Sequence, residues 1–230
     1  MNRNFAQAQA VFPQAYVAKT FCYTQYLTEA DAVINFCKLK SHGMMGMSAA
    51  VKNLFGAIPG TLKPEYHFRY PDPRDFARML VDLNAYFRPV LHIVDAVMAM
   101  EGNGPTQGTP RPMGALLASQ SSHQLDLACA WLIGLERSRV PTLEAALERQ
   151  WVPPKVEDLR IAGDLARFRA ADFQKLETPS SLLFRGRRGT GWEKLQGKLI
   201  QKLLGARPQV SPERCTAAAN APVCVRPRPL

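Results

Sequence analysis

INFCKLKSHGMMGMSAAVKNLF, residues 34–55, is the stretch on which the reading of the whole chain turns. The apolar run AVINF (32–36) has the β-branched and aromatic content of a buried strand. A glycine-rich turn carrying Lys38, Lys40 and His42 follows it. MSAAVKNLF (47–55) then puts Met47, Val51, Leu54 and Phe55 on one face of a short helix. A strand that passes through a turn into a helix is the unit from which α/β sheets are built.

Outward from this unit the alternation continues. RDFARMLVDLNAYF (74–87) sets Phe76, Met79, Leu80, Leu83 and Phe87 at helical spacing, and VLHIVDAV (90–97) and MGALLAS (113–119) are strand-like. A helix is expected from about Ser122 to Leu135, with Ser121 and Gln124 as a capping box, and another over TLEAALERQ (142–150). EDLRIAG (157–163) reads as a last strand, and EGNGPTQGTPRP (101–112), half of it Gly or Pro, as a loop. The predicted class is α/β, in three layers, with a parallel or mixed sheet and helices on both faces. Along the chain this gives an α/β domain over 1–170, a linker over 171–189, and a basic helix with an irregular tail over 190–230. Within the last part, TGWEKLQGKLIQKLLG (190–205) is amphipathic, with Trp192, Leu195, Leu199 and Leu203 on one face.

With 230 residues, 47% of them apolar and 21% charged, the composition is that of a globular protein large enough to fold on its own core. No run of eighteen uncharged apolar residues is present to span a bilayer, and Met1–Ala10 lacks a secretory h-region, so the expected location is cytoplasmic. Five cysteines without CxxC spacing read as free thiols of a reducing compartment. The net charge of +10 is unevenly placed: ten Lys and Arg against two acids in residues 181–230 supply +8 of it. The body is nearly neutral, and there is no strong nucleic-acid signal in it.

Ligands of α/β sheets collect where strands end and helices begin. CKLKSHGMMGMS is such an end, and it carries neither GxxxxGK[ST] nor GxGxxG, so it specifies neither ATP nor a dinucleotide. Ser48 and Lys52 are four apart and share a helix face, from which Lys52 points back toward Lys40 and His42. One reading is a carboxylate or phosphate pocket in which His42 moves a proton, with His67 and Lys63 facing it from the following loop. The other is a solvated helix face with loop histidines. Asp95 at a strand end and Glu101 beside it either orient a histidine or a ligand, or cap a turn. His92 reads as a core residue, His123 as exposed, and Asp126 as a helix-start acid. The candidate catalytic residues are His42, Lys52 and Asp95.

The blocks ADAVINFCKLKSHGMMGMSAAVKNLFGAIPGTLKPEYH, DAVMAMEGNGPTQGTPRPMGALLAS and LDLACAWLIGL resemble the domain of unknown function 362 family over about residues 30–163. Many members of that family end in a ferredoxin-like segment binding 4Fe-4S clusters. The resemblance implies ligand-binding roles for Lys40, His42, Lys52, Asn53, Lys63, His67, Glu101, Gly102 and Gly104, and a redox-linked protein with a small anionic ligand and an electron-transfer partner. It also implies that the family's N-terminal part is incomplete here and that Cys215 and Cys224 are remnant cluster ligands. The CxxCxxCxxxCP run is missing, so no cofactor is expected in this chain as written. The alternative is a non-enzymatic module whose basic tail binds nucleic acid, membrane or a partner protein, with Lys194, Lys198 and Lys202 in one helical stripe.

Overall fold

The computed structural model describes residues 6–176. The basic helix and tail over 190–230, Cys215, Cys224 and most of the expected linker lie outside the described residues.

β1 (Gln7–Val11) and β2 (Thr20–Thr24) form an antiparallel hairpin with Gln7 opposite Thr24, an element the sequence reading does not contain. The main sheet has four strands in the order β4 (Gly46–Ser48), β3 (Ile34–His42), β5 (Leu91–Glu101), β6 (Thr109–Ser119). β3 and β5 are parallel, with Asn35 opposite His92, and the outer pairs are antiparallel. A mixed sheet of the α/β class is therefore present. Between β3 and β5 the chain passes through α1 (Ala50–Asn53), α2 (Lys63–Arg69) and α3 (Pro73–Phe87). After β6 come α4 (Ser122–Leu132), started by the Ser121 hydroxyl accepting from the Gln124 amide, and α5 (Pro141–Glu148).

β3 is longer than the apolar run that announces it. Its alternation turns Asn35, Cys37, Leu39 and Ser41 into the core and leaves Ile34, Phe36 and Lys38 on the other face. Lys38, Lys40 and His42 are thus strand residues and not part of a loop. Ser48 is likewise paired in β4, opposite Lys40, so it does not share a helix face with Lys52. The tight turn between these strands needs Gly46, at φ 72°, where a Cβ would collide with the Arg139 carbonyl.

α1 packs on β3 and β5, and α4 on β5 and β6; α3 and α5 lie behind them and touch each other. The order of layers is therefore sheet, helix, helix. The expectation of helices on both faces is corrected among the described residues: Ile34, Phe36 and Leu116 on the opposite face are 61%, 60% and 64% exposed. Two cores result. One joins Leu39, Val94 and Ala96 of the sheet to Cys129, Leu132 and Leu143 of the helices, and Ala170 and Phe173 insert into it. The other joins Phe21 and Tyr23 of the hairpin to Phe76, Leu80 and Leu83 of α3. Asp82, buried in α3, ties the hairpin down by accepting from the amides of Tyr16, Val17 and Ala18 at 2.7, 2.9 and 2.9 Å, with Arg149 at 3.3 Å.

Residues 157–163 form no strand; the segment begins inside a 3-10 turn (Val156–Asp158) and continues as irregular backbone. The segment 101–112 is only partly loop, since Glu101 ends β5 and Thr109 begins β6. His123 is buried against Trp151 instead of exposed. Cys37 and Cys129 are free and buried, as their sequence context suggested, whereas Cys22 is disulfide-bonded.

Candidate functional site

Building the site starts from the end of β3. His42 is the last residue of the strand, and its Nδ1 accepts from the amides of Met44 and Met45 in the tight turn, both at 3.2 Å. A ring nitrogen that accepts two backbone N–H groups carries no proton, so the neutral ring holds its hydrogen on Nε2. Burial, then the charge of Lys52 and of His67, pushes His42 down to about 3.

α1 is only one turn long, yet it is fixed from three sides. Asp126 of α4 accepts from the amides of Ala50 (2.7 Å) and Val51 (3.2 Å), which satisfies the start of the helix. Asn84 of α3 donates to the Val51 carbonyl at 2.9 Å. The Asn53 amide donates to Asn35 Oδ1 at 2.7 Å and to the Phe36 carbonyl at 3.2 Å, and Asn35 in turn donates to Ala50 O and meets His92 Nδ1. With Val51 turned inward, Lys52 is left half-buried on the opposite side of the turn.

α2 brings Lys63 and His67, four residues apart and therefore on one face. His67 lies flat on Phe76, ring centres 4.5 Å apart and planes 11° apart, and meets Phe55 edge-on at 5.7 Å. The ammonium groups of Lys52 and Lys63 sit 5.8 and 5.7 Å from the centre of the same Phe55 ring. Phe55 and Phe76, both buried, thus make an apolar floor beneath cations from two helices.

The charges on this floor feel one another. Lys52 is pushed down to about 8 by burial and then by Lys63 and Lys40. His67 is held below its ordinary value by burial and by Lys52. Among the described residues, no carboxylate lies within ion-pairing distance of Lys40, Lys52 or Lys63. The structure therefore brings together Lys40, His42, Lys52, Lys63 and His67. Among the described residues, three ammonium groups without a paired acid thus lie beside two imidazoles whose protonation is disfavoured by burial and by Lys52.

Other candidate residues lie elsewhere. Asp95 is 2.9 Å from Lys38 Nζ and accepts from the Val97 amide; the Lys38 hydrogen bond holds its carboxyl below the usual range. The pair borders a cavity of about 330 Å³ lined also by Phe36, Lys40, Ser48, Asn53 and Pro105, so Lys40 touches both this cavity and the cation cluster. Glu101 is buried and accepts from the Gln174 amide at 3.0 Å, with Arg111 at 3.8 Å. Gly102 donates to the Gln174 carbonyl, and its own carbonyl accepts from Ser41. Gly104 sits so close to β3 that a Cβ would strike the Ser41 carbonyl. These residues seat the 102–108 loop on β3, where its Pro105 lines the same cavity as Lys40 and Asn53.

Sequence reasoning missed the aromatic floor and the part of Asp126. Phe55 was assigned to a core stripe, and nothing in its spacing tells a core ring from the floor of a site. Asp126 is fully buried and pushed up to about 7 by desolvation, against the two backbone hydrogen bonds. An acid among apolar helix residues is the signal that could have marked it as a cap for a second helix. Cys37 and Cys129 are not available as nucleophiles: burial pushes Cys37 up to about 12 and Cys129 well above its ordinary value. Among the described residues, no group of three or more His, Cys, Asp or Glu could hold a metal, and no helix is long and apolar enough to cross a membrane.

A strand end, a histidine whose Nδ1 is engaged by two amides, and a group of lysines stand together on a mixed α/β sheet. The chain belongs to the family described as Domain of unknown function (DUF362), whose model matches residues 4–131 and so takes in the whole of this site. It is 42% identical over 132 residues to the thylakoid-associated protein sll1697 of Synechocystis sp. (strain ATCC 27184 / PCC 6803 / Kazusa), an overlap of 57% of this chain and 41% of that protein. The match thus spans about two fifths of the relative's length. No solved structure matches the chain.

Proposed function

We propose that the chain is an α/β domain that binds a small anion, a carboxylate or a phosphate, between β3, α1 and α2. The single observation that carries this is the absence of any acid paired with Lys40, Lys52 and Lys63 among the described residues. Clustered, partly desolvated cations repel one another and lower stability, and a bound anion removes that repulsion. The ligand sits over Phe55, held by the lysines and by the Nε2–H of His42. Thermal unfolding with phosphate, lactate or succinate added at constant ionic strength tests this. The midpoint rises with at least one of them and stops responding in Lys52→Ala and Lys63→Ala. An equal response of the parent and both variants contradicts the reading.

A redox-linked role, with an electron-transfer partner carrying the iron–sulfur cluster, is the reading the family resemblance supports. The described residues do not fit such a cluster, since Cys37 and Cys129 are buried thiols and no third ligand stands beside them. Iron and sulfide analysis of the purified chain measures this directly. A second reading, attachment to a membrane surface, is favoured by the exposed apolar residues Ile34, Phe36 and Leu116 on one sheet face. The name of the Synechocystis relative points the same way. Sedimentation with anionic vesicles, compared with a Phe36→Ser and Leu116→Ser double variant, distinguishes it from a cytoplasmic location.

A further inference from the structure

We propose that Lys52 is a nucleophile: its amine forms an imine with the carbonyl carbon of a small 2-oxo acid whose carboxylate is held by Lys40 and Lys63. This rests on the anion-binding reading above and names the substrate class of the same site. Lys52 is singled out by position. On α1 it is close enough to Lys40 and His42 of β3 and to Lys63 and His67 of α2 for their charges to act on one another, and it shares the Phe55 ring with Lys63. Its ammonium lies over the Phe55 ring, and no acid pairs with it among the described residues. Asp126 is engaged by the amides of Ala50 and Val51 and Asp95 by Lys38, while Glu65 of α2 is exposed and forms no ion pair with these lysines among the described residues. Cationic neighbours and an apolar floor are the two means by which a lysine is made partly neutral and reactive near neutral pH.

The step balances without an oxidant or reductant. The lone pair of neutral Lys52 attacks the carbonyl carbon, and the π pair moves to oxygen, which takes a proton. The nitrogen gives up both of its protons in turn, the oxygen takes a second one and leaves as water, and the C=N bond forms. His67 is suited to carry the proton from nitrogen to oxygen. It is kept neutral by burial and by Lys52, and neither ring nitrogen has a hydrogen-bond partner among the described residues. His42 donates through Nε2–H to the same oxygen. A ketone and an amine enter; an imine and one water leave.

Only Lys52 should react readily. With its amine pushed down to about 8, the neutral fraction at pH 7.4 exceeds that of an ordinary lysine on the order of a hundredfold. Lower basicity takes back part of this, leaving about a tenfold advantage in adduct formation. The test is to incubate the full chain with pyruvate or 2-oxobutyrate, reduce with sodium borohydride, and map the adduct by mass spectrometry. One adduct per chain on Lys52, about tenfold over any other lysine, is expected. Lys52→Arg loses the adduct, while Lys63→Ala moves the pH dependence of trapping upward. An adduct spread evenly over the lysines overturns the proposal, as does none at all in a chain that still responds to lactate. A chain that responds to no anion overturns the binding reading itself.

Discussion

Lys38 and Lys40 are two residues apart on the same face of β3, and they live in opposite electrostatic surroundings. Lys38 reaches Asp95 at 2.9 Å and the Met98 carbonyl at 3.1 Å, so its charge is answered within the fold. Lys40 is paired with no acid among the described residues, and its charge acts on Lys52, which also feels Lys63. The buried counterpart of the first situation is Arg149 with Asp82, where three amides complete the coordination of the acid. A compensated charge serves the fold; a group of uncompensated ones lowers its stability unless something outside the chain completes it.

Substitution should break this contrast most visibly at the buried pair. Asp82→Ala leaves three amides without their acceptor and Arg149 without its carboxylate, with, among the described residues, only the Gln14 carbonyl still accepting from it, and a loss of about 3–5 kcal/mol is expected in urea unfolding. Acid should act next. His42 at about 3 and His123 at about 4 stay neutral in the fold but charge near 6.5 when unfolded. The unfolded chain then binds more protons, so stability falls as pH drops from 6.5 toward 4. Asp126, pushed up to about 7, works in the opposite direction below that value. With the two histidines outweighing one acid, a net loss of about 2 kcal/mol is expected over that interval, read from unfolding midpoints across pH.

Smaller effects separate the two lysine environments. Lys52→Met should stabilise the ligand-free protein by about 1 kcal/mol at pH 7, after discounting for solvent at the mouth of the site, while abolishing its response to anions. Asp95→Asn removes a partly exposed pair and should cost less than about 1 kcal/mol, with anion binding unchanged. If Asp95→Asn instead abolished anion binding, the Lys38 side of β3 would belong to the site.

Much of the fold was legible because period and burial agree. The spacing of Phe76, Met79, Leu80 and Leu83 places α3 correctly, and Asp72 caps it by accepting from the Arg74 amide. β3 was cut short because its polar residues alternate with Cys37, Leu39 and Ser41, and lysines on a strand's outer face look like a loop when only apolar runs are counted. The final strand expected over 157–163 is not formed: the run starts in a 3-10 turn and lies across a cavity of about 370 Å³ from β6 without pairing to it. The exposed sheet face could not be foreseen, because Ile34, Phe36 and Leu116 have the chemistry of buried residues.

In the candidate site, Lys40, His42, Lys52, Lys63 and His67 were legible as cations and imidazoles grouped in sequence. Their grouping around one pocket was one of two readings left open, since it depends on Asp126 and Asn84 fixing a one-turn helix from distant parts of the chain. Glu101, Gly102 and Gly104 had the right residue types for a ligand loop, but close approach to Ser41 and Gln174 accounts for them in the structure.

Titrating Lys52 itself is the most direct measurement. Its side-chain NMR signals, assigned by comparison with Lys52→Arg and followed from pH 6 to 11, should give a value of about 8 that rises when phosphate is added. An ordinary lysine titration, unmoved by any anion, would contradict the claim that its charge is left for a ligand to complete.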